Sequence, residues 1–143
     1  MTRYGLRVIL ESLVRWNVDF HDEFVPEFEE LDIEVQDELL AHVAVLEQFG
    51  PSLVRPRVDT LNGSRHANMK ELRFVASGGV WRFLFAFDRQ RAGIVLCGGD
   101  KSGASEKRFY RQLVAKADRR FEGHLASSGS TSLAVRAGRK RRP

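Results

Sequence analysis

The chain has 143 residues, 43% of them hydrophobic, and a formal net charge of +4. This length predicts one domain with a single core, and the absence of an apolar run of about 18 residues argues against a membrane span. The one cysteine, Cys97, excludes an internal disulfide; because it lies in the apolar run GIVLCGG, we expect a buried structural thiol in a protein of the reducing cytoplasm.

Acidic and basic residues are segregated along the chain. Eleven Asp or Glu and no Lys or Arg occur in residues 19–47, whereas residues 55–120 contain 15 Lys or Arg and six Asp or Glu. Five further cations follow residue 126. This distribution suggests a polyanionic partner for the basic part, and an ordinary mixed surface is the alternative.

The N-terminal part predicts a strand followed by a helical hairpin, after an uncertain leader at residues 1–14. Residues 16–20 (WNVDF) alternate in polarity as a half-buried strand does. We expect Asp22 to cap a first helix, and Asp32 to cap a second helix that ends at Gly50-Pro51. The second helix has an apolar stripe at helical spacing, formed by Val35, Leu39, Leu40, Val43, Leu46 and Phe49. The acidic residues then cover the solvent side of the hairpin.

The second half of the chain predicts a sheet and a last helix. Residues 51–65 are rich in turn formers and are expected to form a loop. Three strands follow at residues 66–76, 80–87 and 94–99, and together with residues 16–20 they make a mixed sheet backed by the two helices. Ser105 is expected to cap an amphipathic helix at residues 106–125. The tail at residues 126–143 is Ser- and Gly-rich and then cationic, so we expect it to be disordered.

Several enzyme classes lack their sequence motifs in this chain. The four histidines do not have metal-ligand spacing with one another or with Cys97, so we expect no metal site and no cofactor. The glycine motifs of nucleotide-binding folds and the nucleophile elbow of hydrolases are also missing from the sequence.

Strand alternation gathers a carboxylate and cations on one face of the sheet. If the apolar residues of these strands face the helices, then Glu71, Arg73 and Arg82 face outward, and Lys101 follows the third strand. Metal-free RNA cleavage needs a base for the 2′-OH, cations for the phosphoryl oxygens and a proton for the leaving 5′ oxygen. These residue types suit that chemistry, and surface salt bridges of Glu71 with the arginines are the alternative.

Four spaced motifs resemble the HigB branch of the RelE/ParE toxin superfamily, the phage-derived toxins of type II toxin–antitoxin modules. In chain order they are a helical hairpin ending in Gly50-Pro51, the strand Lys70-Glu71-Leu72-Arg73, the strand Arg82-Phe83-Leu84-Phe85, and Lys101. The resemblance spans about residues 16–122, and we assign residues 15–125 to a toxin domain. It implies an α+β fold of order β-α-α-β-β-β-α, with a small twisted, mostly antiparallel sheet backed by the helical hairpin and a C-terminal helix.

The same resemblance implies a function. The protein would be a cytoplasmic, ribosome-dependent and metal-independent endoribonuclease that cleaves mRNA and inhibits translation. Its implied partners are the ribosome, mRNA and a helix-turn-helix antitoxin of the HigA type, through which alone it would contact operator DNA. A ParE-like inhibitor of DNA gyrase without catalysis and a nonenzymatic nucleic-acid-binding protein stay open as alternatives, because a fold does not decide a function.

Site residues are carried over by position. Arg82 would be the principal phosphate-stabilising residue, Arg73 and Lys101 would assist it, and Glu71 stands where some relatives place a lysine used as a base. Tyr110 resembles a tyrosine that stacks on RNA, although packing of the last helix against the sheet explains it equally well. The residues expected to contact RNA or the ribosome are Lys70, Lys107, Arg108, Tyr110 and Arg111. His66 is expected to lie in a loop.

Overall fold

The computed structural model describes residues 16–53, 58–61, 63–101 and 105–140, with side chains described up to residue 127. The predicted leader at residues 1–14 lies outside this part. The elements in chain order are β1 (Asn17–Phe20), α1 (Phe24–Glu29), α2 (Ile33–Phe49), a short 3-10 helix (Gly50–Ser52), β2 (Val58–Thr60), β3 (Lys70–Ala76), β4 (Gly79–Phe87), β5 (Ala92–Asp100) and α3 (Glu106–Lys140). The predicted α+β class is confirmed, with one additional strand.

The five strands form one mixed sheet in the order β1-β5-β4-β3-β2. The edge strand β1 runs parallel to β5, and the other pairs are antiparallel. The prediction of an unbroken loop over residues 51–65 was wrong, because Val58–Thr60 pairs with β3. Three residues are too few to show the alternation that identifies a strand. The prediction that β3 begins at residue 66 was also wrong, and His66 lies in the preceding loop as expected.

Two turns depend on a left-handed backbone. Ser77 and Gly78 have φ angles of 48° and 75° and join β3 to β4 in a tight hairpin turn. At the end of α2, Gly50 has a φ of 61°, and a Cβ atom there would lie 2.3 Å from the indole nitrogen of Trp16. Only glycine satisfies both constraints, which explains why the helix ends at the Gly-Pro pair.

Helices α1 and α2 cover one face of the sheet and form the larger core. Helix α2 contributes four buried side chains to this core, which are Val35, Leu39, Val43 and Leu46. The predicted stripe was wrong at two positions, because Leu40 and Phe49 are 48% and 49% exposed. Both point away from the sheet, since they lie outside the arc of the helix that packs on it.

The expected helix caps were confirmed in part. Asp22 does not cap α1; the N-cap residue is Glu23, whose backbone N–H donates to Nδ1 of His21 at 3.0 Å. Asp32 occupies the N-cap position of α2 as expected, but within the described residues its side chain makes no capping hydrogen bond. The Ser105 hydroxyl accepts the backbone N–H of Arg108 at 3.2 Å, so Ser105 caps α3 as predicted.

Helix α3 packs on the opposite face of the sheet and forms a second core. Leu113, Val114, Ala117 and Phe121 contact the buried side chains of β4 and β5 there. The sequence predicts that this face of the sheet is open to solvent, but helix α3 covers part of it. Helix α3 continues to Lys140, whereas the sequence predicts disorder from residue 126 onward. No proline interrupts this segment. The boundary between domain and tail stays a prediction. None of the described helices is both long and apolar enough to cross a membrane.

Candidate nucleic-acid interface

The sheet register brings the predicted site residues together. Arg73 of β3 is paired directly with Arg82 of β4, and Glu71, two residues earlier on β3, therefore shares their face. Asp59 of β2 is the partner of Glu71 on its other side. The expected grouping of Glu71, Arg73 and Arg82 on one face is thus what the strand pairing produces.

A groove runs between the N-terminal half of α3 and the β2–β3 edge of the sheet, and we call it the α3 groove. It has a volume of about 890 Å³. Five of the predicted site residues line it, together with residues that the sequence analysis did not single out. The predicted ones are Glu71, Arg73, Lys107, Tyr110 and Arg111; the others include Asp59, Thr60, Leu61, Gly63, Arg65 and Asp118. The groove therefore has exposed cations along its walls and a buried carboxylate in its lining.

Glu71 and Tyr110 form the polar centre of the α3 groove. The Tyr110 hydroxyl donates a hydrogen bond to Oε1 of Glu71, which is only 6% exposed. Burial, reinforced by this bond and by the carboxylate charge, raises the pKa of Tyr110 well above its ordinary value. Tyr110 is consequently a protonated donor at neutral pH, and it holds one oxygen of Glu71 in a fixed direction.

Arg82 lies behind this pair and is 6% exposed, which corrects the expectation that it faces outward. Its guanidinium carbon is 5.2 Å from the centre of the Tyr110 ring, and Nε is 3.9 Å from Oε2 of Glu71. On the solvent side, Nη2 is 3.6 Å from the carboxylate of Glu106, which is itself exposed. Within the described residues Nε of Arg82 has no hydrogen-bond acceptor. The burial follows from the packing of α3, which residue alternation in the strand does not reveal.

The remaining predicted residues lie outside the groove lining. Lys70 is on the other face of β3, since it alternates with Glu71, and it is partly exposed. Lys101 is exposed directly after β5, and Arg108 is exposed on α3. These three cations can contact an extended polyanion around the groove, but the structure does not place them beside Glu71 and Tyr110.

The sequence analysis missed the wall that the β2–β3 loop contributes. Buried Asp118 of α3 accepts hydrogen bonds from the Ser64 hydroxyl at 2.5 Å and from the Arg65 backbone N–H at 3.0 Å. The Arg65 guanidinium also pairs with Glu122 at 2.7 Å. The sequence contained one indication of this contact. Asp118 follows Ala117 on the packed side of the last helix, and a carboxylate buried there needs a hydrogen-bond partner.

An ion pair between buried Arg120 and partly exposed Glu27 joins α3 to α1. Arg120, 5% exposed, donates to both carboxylate oxygens of Glu27 in α1 and to the backbone carbonyl of Leu96 at 2.7 Å. The hydrogen bond to Arg120 is the main reason why the pKa of Glu27 lies below its ordinary value. This contact fixes the register of α3 over the sheet and so supports the groove.

The lone thiol is structural, as expected. Cys97 is buried, its Sγ lies 3.4 Å from the carbonyl of Leu113, and burial raises its pKa to about 12. Among the described residues, no group of three or more His, Cys, Asp or Glu is placed to hold a metal ion.

Comparison with known proteins places the chain among phage-derived and toxin sequences. The model of the phage-derived protein Gp49-like family matches residues 26–122. Putative toxin HigB2 of Mycobacterium tuberculosis is 44% identical over 102 residues, which is 71% of this chain and 50% of that relative. Putative toxin HigB3 of the same organism is 49% identical over 85 residues, 59% of this chain and 72% of the relative. The chain thus spans half the length of the first of these relatives.

One solved structure supports the fold. A double arginine-to-alanine mutant of the Escherichia coli toxin RelE, in the free state, matches with a TM-score of 0.52 over 71% of this chain and 96% of that chain. The sequence identity is 14%, so this likeness concerns the fold alone. It agrees with the sheet flanked by helices described above.

Proposed function

Since the chain belongs to the Gp49-like family of phage-derived proteins, we propose that it is the toxin of a toxin–antitoxin module and that it cleaves mRNA on the ribosome. The observation that carries the proposal is the α3 groove, in which exposed cations surround the Glu71–Tyr110 pair. Cations of this kind bind phosphates, and a carboxylate among them is suited to acid–base work.

The groove suits a single strand of RNA. Its volume of about 890 Å³ is within the range of pockets that enclose a small organic ligand, so it accommodates a nucleotide. Arg73, Lys107 and Arg111 are exposed and contact the phosphates, while the ring of Tyr110 offers a surface for base stacking. Lys70, Lys101 and Arg108 lie outside the groove and contact ribosomal RNA by their charge.

The reaction is attack of the 2′-OH on the adjacent phosphate. The carboxylate of Glu71 takes the 2′-OH proton while the 2′ oxygen bonds to phosphorus and the bond from phosphorus to the 5′ oxygen breaks, which leaves a 2′,3′-cyclic phosphate. Arg73 stabilises the charge on the phosphoryl oxygens. The leaving 5′ oxygen receives its proton from Lys107, because an ammonium group is a stronger acid than the guanidinium groups in the groove.

Arg82 contacts the RNA phosphate only when the carboxylate of Glu106 moves away from its guanidinium group. In the free protein the exposed carboxylate of Glu106 is the solvent-side partner of the buried guanidinium. An RNA phosphate is an anion of the same kind and competes for that position. The principal phosphate contact that the resemblance implies for Arg82 is thus made by replacing one anionic partner with another.

The partner of the toxin is an antitoxin, which we propose to be a helix-turn-helix protein of the HigA type. The basis is that both curated relatives are named as HigB toxins. Contact with operator DNA is made through that antitoxin.

Inducible expression in bacteria tests the proposal. The wild type should arrest growth and produce new mRNA 5′ ends at fixed positions within codons. Glu71→Gln should reduce these cuts roughly a hundredfold, the scale of general-base catalysis. Arg89→Ala, which removes an exposed cation from the β4–β5 turn, is the matched control and should behave as the wild type.

One result would contradict the nuclease, and another would contradict the role of Glu71. Growth arrest with unchanged mRNA 5′ ends and inhibited DNA supercoiling by gyrase would show a binding toxin of the ParE type. Cuts of equal strength in wild type and Glu71→Gln would remove Glu71 from the mechanism.

A further inference from the structure

Helix α2 carries a second apolar stripe that is exposed within the part of the chain that the structure describes. Its inner stripe is buried in the larger core, as described above. On the far side, Ile33 and Leu40 are 69% and 48% exposed, and Ala41 and Ala44 are exposed beside them. Spacings of seven, eight and eleven residues from Ile33 place these side chains on one line along the helix. We call them the outer stripe.

The surroundings of the outer stripe are acidic. Asp37 lies within it and is exposed, and the chain has no Lys or Arg between residues 19 and 47. Part of the acidic set has partners inside the protein: Glu27 binds Arg120, Glu34 accepts hydrogen bonds from Ser77, and Glu38 lies near His42. The exposed carboxylate of Asp37 adds negative charge to the centre of the stripe.

We propose that the outer stripe is the docking surface for an amphipathic, basic helix of the antitoxin, an inference that rests on the proposed toxin function. An apolar line along a helix of about 25 Å matches the apolar face of a second helix, and Lys or Arg beside that face complements Asp37. A second copy of this chain is a poor occupant, because it would bring one acidic hairpin against another.

The position of the stripe allows a clean test. Helices α1 and α2 cover the face of the sheet opposite to α3, so substitutions in the outer stripe leave the α3 groove intact. Phe49 supplies a matched control, since it is on the same helix and is as exposed as Leu40 but is turned away from the stripe.

The experiment measures binding of the full-length toxin to the helix-turn-helix protein encoded by the adjoining gene. The double variant Ile33→Ser with Leu40→Ser should weaken binding at least tenfold, whereas Phe49→Ser should leave it within twofold. Asp37→Lys, which changes an exposed position to a residue of higher helix propensity, should also weaken binding at least tenfold at 50 mM salt and less at 500 mM salt. Thermal unfolding confirms that each variant is folded.

The outcomes separate this proposal from the toxin function. A wild type that arrests growth but does not bind the neighbouring protein, or variants that bind as tightly as the wild type, would overturn the docking surface and leave the toxin standing. Binding that is lost in the stripe variants, in a protein that never arrests growth, would support the surface and overturn the toxin. A dimer that dissociates in Leu40→Ser, or a cross-link from Asp37 to Lys140 of the same chain, would assign the stripe to another occupant and overturn the proposal.

Discussion

At the scale of single residues, the candidate site depends on two side chains of the sheet, Glu71 and Arg82, and on Tyr110 of α3, which contacts both. Strand alternation was enough to place Glu71 and Arg82 on one face, because the period of a strand is two. It could not show that Tyr110 binds Glu71 or that Arg82 is buried, since both depend on how α3 docks on the sheet, and Tyr110 lies 39 residues after Glu71 in the chain. Because α3 docks on this face of the sheet, the charged side chains line a groove and not an open surface.

Tyr110→Phe tests whether this tyrosine orients Glu71. The variant keeps the ring for stacking and loses the hydrogen bond, so kcat for RNA cleavage should fall about tenfold while KM changes little. Because its pKa is raised, the tyrosine stays protonated, and wild-type rates should show no loss from tyrosine ionisation up to pH 9. Equal kcat values for Tyr110→Phe and the wild type would assign the tyrosine to packing alone.

Glu106→Gln tests the exchange of anions at Arg82. Without the competing carboxylate, a short single-stranded RNA with a non-cleavable 2′-deoxy linkage should bind several-fold more tightly in a fluorescence anisotropy titration. The thermal stability should change little, because Glu106 is exposed to solvent and its contact with Nη2 of Arg82 is long, at 3.6 Å. Weaker RNA binding would mean instead that Glu106 holds Arg82 in its working position.

At the scale of helices and strands, some structural features depend on packing between the sheet and the helices, and the residue pattern of a single segment does not predict them. The strand β2 has three residues and was missed, whereas α2 and the β3–β4 hairpin follow from their periodicity and turn residues. Gly98 of β5 is a further example: a Cβ atom there would lie 2.0 Å from the ring of Phe83 on the paired strand. In the sequence this glycine resembles its neighbour Gly99, and only the pairing distinguishes the two.

Gly98→Ala should therefore destabilise the protein by about 1–3 kcal/mol, the usual cost of overpacking a core. Gly123→Ala is the control, because a Cβ atom on this helical glycine would meet nothing within 4 Å of the described residues. It should stabilise the protein by about 0.5–1 kcal/mol. Chemical denaturation measures both, and equal effects of the two substitutions would contradict the described packing.

Glu27→Gln tests the link between α1 and α3 through its pH dependence. The folded state holds the pKa of Glu27 below 4.5, so under more acidic conditions the unfolded chain takes up a proton that the folded chain does not. The ionised carboxylate of Glu27 thus stabilises the folded state fully above pH 4.5. This contribution to the free energy of unfolding is lost as the pH falls through the lowered pKa of Glu27. The variant should be less stable at pH 7 by up to about 1 kcal/mol, because the Glu27 side chain is 40% exposed and solvent screens the pair, and the difference should shrink towards pH 3. A constant difference across this range would exclude the pair as its cause.

At the scale of the whole molecule, the sheet separates two surfaces of opposite charge. The acidic hairpin α1–α2 lies on one face, and the cations of the α3 groove lie on the other. The segregation of charge in the sequence predicts such surfaces, and the resemblance in four motifs predicts the fold. Neither reveals the groove itself, because its β2–β3 wall is held to α3 by Asp118 across 53 residues of chain.

The central claim is that RNA is cut in the α3 groove. The most direct measurement is primer extension on a defined mRNA in purified ribosomes, after addition of the full-length wild type, Arg73→Ala or Arg89→Ala. We expect a cut in the A-site codon by the wild type and by Arg89→Ala, and a rate about 10²–10³-fold lower for Arg73→Ala. Equal cutting by Arg73→Ala and the wild type, or no cutting by any of the three, would contradict cleavage in the α3 groove.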